Sequence, residues 1–432
     1  MFTRIPFHYS LTLFVLVFAS CSHRAPEKPP PQNLKSPITR GLTPGKLSLK
    51  SACALAVTHH PSLATYPMDR RAADARILKA SRIPNPVLNL DDEDFFGTGD
   101  LGGLSASVLN SLLTQVIERG GKRQARTEAA RQAGKVMEAE YEVRRREVMT
   151  ETGRLYLEAV AARENVLFYK AALERSQETA RLVSLLLDSG RVTISSSQQA
   201  NLEVQKNQLV LDEALKKSER ASQALSAQWG DPRTTAVDHL KLAPPPVTLD
   251  SKSAQSAGLS GHPKIIHMQA RVSESNSLVA LAKANRLSNV TLGGGIRHAS
   301  ASDELSGLAS LSIPLRVFDK KEDAIREMTA LAEKSRTELA ATKRLLNDKF
   351  ILAWSELESA HRSARLIQTD LLPSALTVFQ SAENAFRAGK ITALEYLAAQ
   401  QQFAQIRTQW LEARRNYHLR ALSVQSLTHR SL

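Results

Sequence analysis

Aromatic residues and cysteine are scarce in this 432-residue sequence. Phe, Tyr and Trp together make up 5% of it, and the only cysteines are Cys21 and Cys53. Neither cysteine belongs to a CxxC pair, and no Cys/His cluster has the spacing of a zinc site, so the sequence predicts no bound metal. For Cys53 we expect a small buried apolar residue. Low aromatic content is typical of helices that pack through Ala and Leu.

Several other motifs and patterns are missing. Beyond the N-terminus no run of about 20 apolar residues occurs, which excludes transmembrane helices from the mature chain. Nucleophile elbow, P-loop and Rossmann motifs are absent, so we predict a non-enzyme without catalytic residues or cofactors. The net charge of +14 could favour nucleic acid or an anionic membrane surface. The sequence has no compact basic patch interleaved with aromatics and no helix-turn-helix or zinc-finger spacing, so we expect no nucleic-acid partner.

Proline is missing from residues 122–187, where strong helix formers fill most positions. These residues predict one helix of roughly 100 Å. Its narrow apolar seam repeats every seven residues, with one step of four, as in a left-handed coiled coil with a stutter. The seam consists of Val148, Leu155, Ala162, Val166, Leu173, Ala180 and Leu187.

A second long helix is predicted over residues 320–388. It repeats the seven-residue spacing, at Leu339, Leu346, Ala353, Ala360 and Ile367. Pro373 lies inside it, and we expect a kink there because proline lacks a backbone donor and clashes with the preceding turn.

The N-terminus has the pattern of a secretory signal. Arg4 precedes an apolar run from Leu11 to Ala19 that is too short to span a membrane. The run ends in Ala19-Ser20-Cys21, which resembles a bacterial lipobox and implies a lipid on Cys21. The alternative is ordinary cleavage, with Cys21 discarded or free. A Pro-rich stretch follows as an extended tether.

Two segments change to the two-residue period of strands. Leu104, Ala106 and Val108 alternate with serines, Val87 to Phe95 is a weaker candidate strand, and a glycine-rich loop lies between them. Residues 290–296 and 309–313 alternate in the same way. The order helix, hairpin, long helix and return helix thus occurs twice, which indicates an internal duplication. The predicted divisions are a signal peptide (1–20), a lipidated N-terminus and tether (21–46), a first repeat (47–230; hairpin 87–117, long helix 122–187, return helix 195–229), a linker (231–252) and a second repeat (253–432; hairpin 288–317, long helix 320–388, return helix 394–427).

Each hairpin has an apolar face and a face of Ser, Thr, Gly and Arg. No other segment supplies a core for the apolar face, so the pattern favours lipid on one side and a lumen on the other. Strand edges cannot stay open in lipid, and four strands are too few to close a barrel. Several chains therefore have to share one barrel, with the long helices continuing its wall as a tube.

Several motifs, in this order, resemble the TolC-type outer-membrane efflux family and are most similar to its CzcC-like heavy-metal branch. They cover both repeats, from about Leu47 to the C-terminus. The motifs are Asn85-Pro86 leading to Glu93-Asp94-Phe95, Thr114 to Arg123, and Ser312-Ile313-Pro314-Leu315 through Phe318-Asp319. The family implies a mainly α homotrimer with a coiled-coil α-barrel and a twelve-stranded transmembrane β-barrel in outer-membrane lipid. It also implies a periplasmic adaptor and an inner-membrane resistance-nodulation-division pump as partners.

The resemblance further implies that two helix–turn–helix tips meet the adaptor and hold a gate. Glu395 matches a position where an acidic ring can line the aperture, whereas the first tip has Ser196 there. The alternative for Glu395 is an acid that favours the helix dipole. The implied tip residues are Gly190, Arg191, Val192, Thr193, Ser195, Gly389, Lys390, Ile391, Thr392, Leu394 and Glu395.

Metal efflux would also draw attention to histidine. His59, His60, His262 and His267 could suggest metal ligands, but His59-His60 and His262 lie beside a proline at helix starts in both repeats. That placement favours turn and capping roles over metal binding.

Two further functions stay open on the sequence alone. One is a duct of the same family that exports drugs or polypeptides. The other is a structural lipoprotein in which the helices space the envelope layers, although a spacer needs no lipid-facing strands.

Overall fold

The computed structural model describes residues 47–230, 242–246, 259 and 261–428. The predicted signal peptide, Cys21 and the tether lie outside these residues, as does most of the linker. The described chain is mainly helical with a small β part, as expected. Its main elements are α1 (Leu49–His59), α2 (Tyr66–Ser81), β1 (Val87–Glu93), β2 (Val108–Ile117), α3 (Lys122–Asp188), α4 (Ile194–Ser226), α5 (Pro263–Ala284), β3 (Val290–Ala299), β4 (Glu304–Ser312), α6 (Glu322–Leu366), α7 (Leu372–Arg387) and α8 (Ala393–Leu427).

Helix α3 is the longest described element, at 67 residues. Five positions of its predicted seam are buried and the last two, Ala180 and Leu187, are half-buried. Along its length α3 packs against α4, α5 and α8. The seam therefore faces other helices of the same chain, as a seven-residue repeat requires.

A core lies midway along α3, where α1 and the C-terminal ends of α4 and α8 meet it. Trp229, Leu225 and Val160 are almost fully buried in it, together with Leu155 and Leu422. The hydroxyl of Tyr156 donates to the backbone carbonyl of Leu47, which ties the start of the described chain to α3. Burying these side chains holds the return helices against the long ones.

The predicted break near Pro373 takes the form of a five-residue π-helix, Ile367–Leu371, between α6 and α7. Proline has no N–H for the carbonyl four residues earlier, and a π-turn absorbs that mismatch without ending the helix. The second long helix is thus three segments over residues 322–387.

The four strands form one antiparallel sheet in the order β1-β2-β3-β4, so β1 and β4 are its edges. Leu113 lies opposite Leu88 on β1 and Gly294 on β3, and Leu292 lies opposite Leu311 on β4. Strands from both halves of the chain therefore join through the β2–β3 pair.

The strand predicted over residues 104–108 was wrong. Residues 104–106 form turns, and β2 begins at Val108, opposite Glu93. Beyond Glu93, Asp94 has a φ of 56°, which takes the chain out of the ladder, so residues 104–106 do not extend β2. Ser107 stays attached to the sheet because its carbonyl accepts from the Ser300 N–H at 2.9 Å. A two-residue alternation of small residues fits a turn-rich loop as well as it fits a strand.

The two faces of the sheet differ. The first, named here the apolar face, carries Leu88, Leu90, Leu109, Leu113, Leu292, Ile296, Leu305 and Leu311, all of them exposed. The opposite face, the polar face, carries mostly polar groups. Its apolar exceptions are Val87, Val108, Leu112, Val116, Ala299 and Leu308. Its polar residues include Asn89, Asp91, Glu93, Asn110, Thr114, Thr291, Arg297, Ser306, Ser310 and Ser312.

Part of the predicted linker is packed. Leu242 is buried near Trp229, and two imidazoles donate from Nε2 to carbonyl oxygens of this segment. His418 bonds to Ala243 and His361 to Pro246, each at 2.7 Å. Residues 242–246 therefore lie across α6 and α8 as a strap.

In the described residues, none of the helices combines the length and the hydropathy needed to cross a bilayer.

Candidate functional site at the two helix tips

The first tip joins α3 to α4 through a tight turn. Gly190 adopts a φ of 68°, a left-handed conformation that glycine reaches without strain. Its N–H donates to the Leu187 carbonyl and the Arg191 N–H to the Leu186 carbonyl, both at 2.9 Å. Such paired bonds satisfy the last carbonyls of the helix. The Thr193 hydroxyl then accepts from the N–H of Ser196 and caps α4.

The second tip joins α7 to α8 with the same geometry. Gly389 has a φ of 70°, and the N–H of Lys390 donates to the Ala385 carbonyl at 2.8 Å. Thr392 caps α8, and here the cap is reciprocal because Glu395 bonds back to it. Because the first tip has Ser196 where the second has Glu395, only the second tip has a reciprocal cap.

The structure brings the two tips together around one groove of about 1040 Å³. Of the predicted tip residues, Gly190, Ser195 and Leu394 are not part of its lining. The remaining eight predicted residues line it: Arg191, Val192, Thr193, Gly389, Lys390, Ile391, Thr392 and Glu395.

The sequence prediction missed other residues that line the groove. Leu182, Leu185 and Leu186 come from the last turns of α3, and Phe386 and Arg387 from the end of α7. A signal was available, because residues three and four apart share a helix face. The prediction was limited to the turns and did not extend into the helices behind them.

An aromatic stack lies behind the groove. The ring of Tyr396 stacks on Phe386 with centroids 4.9 Å apart, and Phe379 stacks on Phe403 at 5.3 Å. Val192 and Ile391, one from each tip, pack on this cluster. Burial raises the pKa of the Tyr396 hydroxyl. The stacked rings all belong to α7 and α8, and the first tip contacts them through Val192.

Exposed apolar side chains surround the tips. Leu185, Ile194 and Leu394 are 66%, 67% and 60% exposed. Beside them, Arg191, Arg387 and Lys390 outnumber the single carboxylate, Glu395, among the groove residues. Arg387 is paired with Glu383 at 2.8 Å. Large exposed apolar side chains within a charged rim are typical of surfaces that bind another protein.

The histidines beside prolines act as helix caps. Nδ1 of His60 accepts from the N–H of Ser62 at 3.2 Å, and Nδ1 of His262 accepts from the N–H of Lys264 at 3.1 Å. Within residues 47–230, 242–246 and 261–428, no three His, Cys, Asp or Glu side chains are grouped to hold a metal ion.

Comparison with known proteins agrees with this architecture. The family described as outer membrane efflux protein matches the chain twice, over residues 53–231 and 255–428. The cobalt-zinc-cadmium resistance protein CzcC of Cupriavidus metallidurans is 25% identical over 373 residues, which cover 85% of this chain and 86% of CzcC.

Solved structures share the fold at low sequence identity. A membrane protein from Pseudomonas aeruginosa superposes with a TM-score of 0.72 at 16% identity, covering 89% of this chain and 90% of that one. CusC, a protein that forms a transmembrane channel, gives 0.70 at 16% identity, covering 88% and 92%. The open state of the Neisseria gonorrhoeae MtrE outer membrane channel gives 0.70 at 13% identity, covering 88% of each chain. The resemblance inferred from the motifs is confirmed, and the chain belongs to the outer membrane efflux protein family, a family of channel proteins.

Proposed function

We propose that three copies of this chain form a passive duct through the outer membrane and the periplasm. The observation that carries the proposal is the sheet, which has two unpaired edges and an exposed apolar face. Backbone groups at such edges cannot stay unpaired in lipid, so the strands of neighbouring copies pair until the barrel closes. Three copies supply twelve strands, above the lower limit of about eight for membrane barrels.

In this assembly the apolar face meets lipid and the polar face lines the lumen. The long helices continue the wall into the periplasm as an α-barrel. The two family matches, and the recurrence of hairpin, long helix and return helix, support an internal duplication as the origin of the two halves.

The tips form the periplasmic entrance in this proposal. They close the tube through the residues of the groove and open when a periplasmic adaptor docks on the exposed leucines and isoleucine. An inner-membrane resistance-nodulation-division pump supplies the energy, because nothing in a static tube drives transport. Lipidation at Cys21 anchors the N-terminus to the outer membrane.

For the cargo we propose heavy-metal cations. The support is the relation to CzcC, whose name states resistance to cobalt, zinc and cadmium. The test compares a deletion strain with its parent on zinc, cobalt and cadmium salts and on hydrophobic drugs. Greater sensitivity to the metals alone supports the proposal, and greater sensitivity to the drugs alone rejects it in favour of drug export.

The duct is tested with purified protein. Light scattering of the detergent-extracted protein should give the mass of a trimer, and planar bilayers should show discrete conductance steps. A monomer, or a well-folded trimer without conductance, rejects the duct and leaves a structural spacer.

Matched substitutions locate the lipid face. Leu113 lies on the apolar face and its neighbour Thr114 on the polar face. Leu113→Arg should destabilise the inserted barrel by about 2–4 kcal/mol if the residue lies near the bilayer midplane, and should reduce the amount of inserted trimer. Thr114→Arg should insert normally and change conductance instead. Equal insertion of the two variants contradicts this orientation.

A further inference from the structure

A pocket of about 420 Å³ lies beside the end of the sheet where the long helices begin. It is formed by the first residues of α3 and α6, one side of α5, and the loop 313–321 that follows β4. We call it the basic pocket; its residues are Lys122, Leu278, Leu281, Ala282, Asn285, Arg316, Lys321, Ala324 and Met328. The tips lie at the other end of α3, so the basic pocket is separate from the site described above.

Three cations and no carboxylate line this pocket. Lys122 is buried, and its ammonium donates to Oδ1 of Asn289. Burial and the charge of Arg316 lower the pKa of Lys122. The nearby carboxylates form ion pairs outside the pocket or at its rim. Glu118 pairs with Arg126 at 2.5 Å, and Asp319 pairs with Lys321 at the rim. Asp319 therefore compensates the charge of Lys321 at the rim, whereas Lys122 and Arg316 form no ion pair with a carboxylate among the described residues.

The guanidinium of Arg316 has one nitrogen, Nη1, that its hydrogen bonds do not use. Its Nε donates to the hydroxyl of Ser288 at 3.0 Å and its Nη2 to the carbonyl of Leu287 at 3.2 Å. Its Nη1 is buried and has no hydrogen-bond partner among the described residues. An unpaired buried donor on a charged group is costly, which indicates that the pocket receives an acceptor.

Two helix N-termini add to the positive potential. Helix α3 begins at Lys122 after Gly121, and α6 begins at Glu322 after Lys321, and neither cap residue uses its side chain to bond the first turn. The free N–H groups and the helix dipole favour an anion at such a position. Glu322 and Asp323 oppose this in α6, but neither of them lines the pocket.

The rest of the pocket is apolar, with Leu278, Leu281, Ala282, Ala324 and Met328 on neighbouring helices. The loop that carries Arg316 also exposes Leu315, Val317 and Phe318, and Phe318 is completely exposed. Water does not favour three exposed apolar side chains in one short loop, whereas the boundary between lipid headgroups and acyl chains does. The surroundings of Arg316 thus favour a lipid over a dissolved anion.

We propose that the basic pocket binds an anionic glycerophospholipid of the inner leaflet of the outer membrane. Lys122, Arg316 and Lys321 hold its phosphate, and the apolar residues between α5 and α6 receive the upper part of an acyl chain. The leaflet rests on the proposed function, which places this end of the sheet toward the periplasm. Such a lipid would fix the depth of the barrel in the bilayer.

Native mass spectrometry of the detergent-extracted protein tests the proposal, with dioleoyl phosphatidylglycerol, dioleoyl phosphatidylcholine and inorganic phosphate as probes. Phosphatidylglycerol should bind the most tightly. Lys321→Gln should weaken the binding of phosphatidylglycerol about fivefold, and the double variant K122Q/K321Q about 25-fold. Each basic residue near a lipid surface contributes a similar increment of binding free energy. Lys320→Gln removes a neighbouring charge outside the pocket and should have little effect.

Arg316 also holds its loop in place, so its replacement perturbs folding and the lysines are the better probes. Ala324→Phe fills the apolar part of the pocket. It should weaken the binding of phosphatidylglycerol but leave the binding of inorganic phosphate unchanged. The proposal is overturned if inorganic phosphate binds as tightly as phosphatidylglycerol, if A324F has no effect, or if K320Q weakens binding as much as K321Q.

The same preparations separate this proposal from the duct. If the protein conducts in planar bilayers but does not bind phosphatidylglycerol selectively, the lipid pocket is rejected and the duct is kept. Selective lipid binding without conductance rejects the duct and keeps a lipid pocket on a membrane-bound protein.

Discussion

The carboxylate of Glu395 accepts two hydrogen bonds from Thr392, one from its backbone N–H and one from its hydroxyl, each 2.8 Å long. The Glu395 N–H donates back to the Thr392 hydroxyl at 3.3 Å. This reciprocal arrangement is a capping box, and it gives Glu395 a structural role at the second tip. Any contribution to an acidic ring therefore comes from a carboxylate that these donors hold in place and keep ionised.

Substitutions at the second tip should separate these two roles. Thr392→Ala removes the cap and should destabilise α8 by about 1 kcal/mol, and the loosened tip should raise the leak conductance of the assembled channel. Thr392→Ser keeps the hydroxyl and should behave as the wild type. Glu395→Gln removes the charge that strengthens the bonds from Thr392, so it should raise the leak slightly at neutral pH and also lower selectivity for cations. Single-channel recordings and thermal midpoints measure both effects, and a leak in T392S equal to that in T392A would contradict a capping role.

Acid should weaken the same cap. The hydrogen bonds from Thr392 lower the pKa of Glu395 below its ordinary 4.5. The stabilisation is therefore complete above pH 4.5 and is lost as pH falls through the lower value of the folded protein. Leak conductance should rise in that acidic range in the wild type and stay flat in E395Q.

A buried ion pair joins α3 to α8. Glu164 and Arg414 are 2.5 Å apart, with side chains only 8% and 12% exposed. Glu164→Ala leaves the guanidinium of Arg414 in a buried site with its charge uncompensated, at a cost of about 3–5 kcal/mol. The double variant E164M/R414M should recover part of this loss, because it removes both charges of the pair but also takes the attraction of Glu164 away from Arg407.

The pair of Glu356 and Arg420 is the control. It also joins two helices, α6 and α8, but its side chains are 40% and 48% exposed. Glu356→Ala should cost less than about 1 kcal/mol, since water screens the pair. Denaturant or thermal unfolding in detergent measures all three variants, and equal losses in E164A and E356A would show that burial does not set the cost.

The sequence predicts the helices better than the contacts between them. An unbroken run without proline and a seven-residue seam locate α3 to within one residue of its end. Alternation locates β3 because Leu292, Gly294 and Ile296 alternate with Thr291, Gly293, Gly295 and Arg297. Alternation failed at residues 104–107, where only the partner strand decides which residues are paired.

Long-range polar contacts leave no local signal. The Nε2 of His418 bonds to the Ala243 carbonyl, 175 residues earlier, and Arg414 pairs with Glu164, 250 residues earlier. Neither residue stands out from its neighbours in sequence. The basic pocket likewise draws its cations from Lys122, Arg316 and Lys321, which only the folded chain brings together.

The strap of residues 242–246 should make stability depend on pH. Burial lowers the pKa of His418 below its ordinary 6.5, so the unfolded chain takes up a proton more readily than the folded one. The stabilisation is complete above pH 6.5 and is lost as pH falls toward the lower pKa of the folded protein. His418→Gln keeps a donor for the Ala243 carbonyl and does not titrate. The thermal midpoint of H418Q should therefore fall less between pH 7.5 and pH 5 than that of the wild type.

His262 and His267 also have lowered pKa values. The thermal midpoint of H418Q should therefore still depend on pH, although less steeply than that of the wild type. A triple variant, H262N/H267Q/H418Q, should be nearly flat over the same range. If H418Q and the wild type have the same slope, the imidazole of His418 is not the source of this dependence.

Two adjacent glycines of β3 should respond in opposite ways to alanine. A Cβ on Gly295 would overlap the Ser111 carbonyl oxygen and lie 2.9 Å from Cα of Leu112, both on the neighbouring strand. A Cβ on Gly294 would meet nothing within 4 Å. Gly295→Ala should force β2 and β3 apart at the junction of the two halves and cost about 1–3 kcal/mol, like other overpacked sites. Gly294→Ala adds a methyl to the apolar face and should be neutral. The amount of heat-resistant oligomer on a denaturing gel measures both, and equal yields for the two variants would show that the backbones of β2 and β3 do not approach as closely as this register requires.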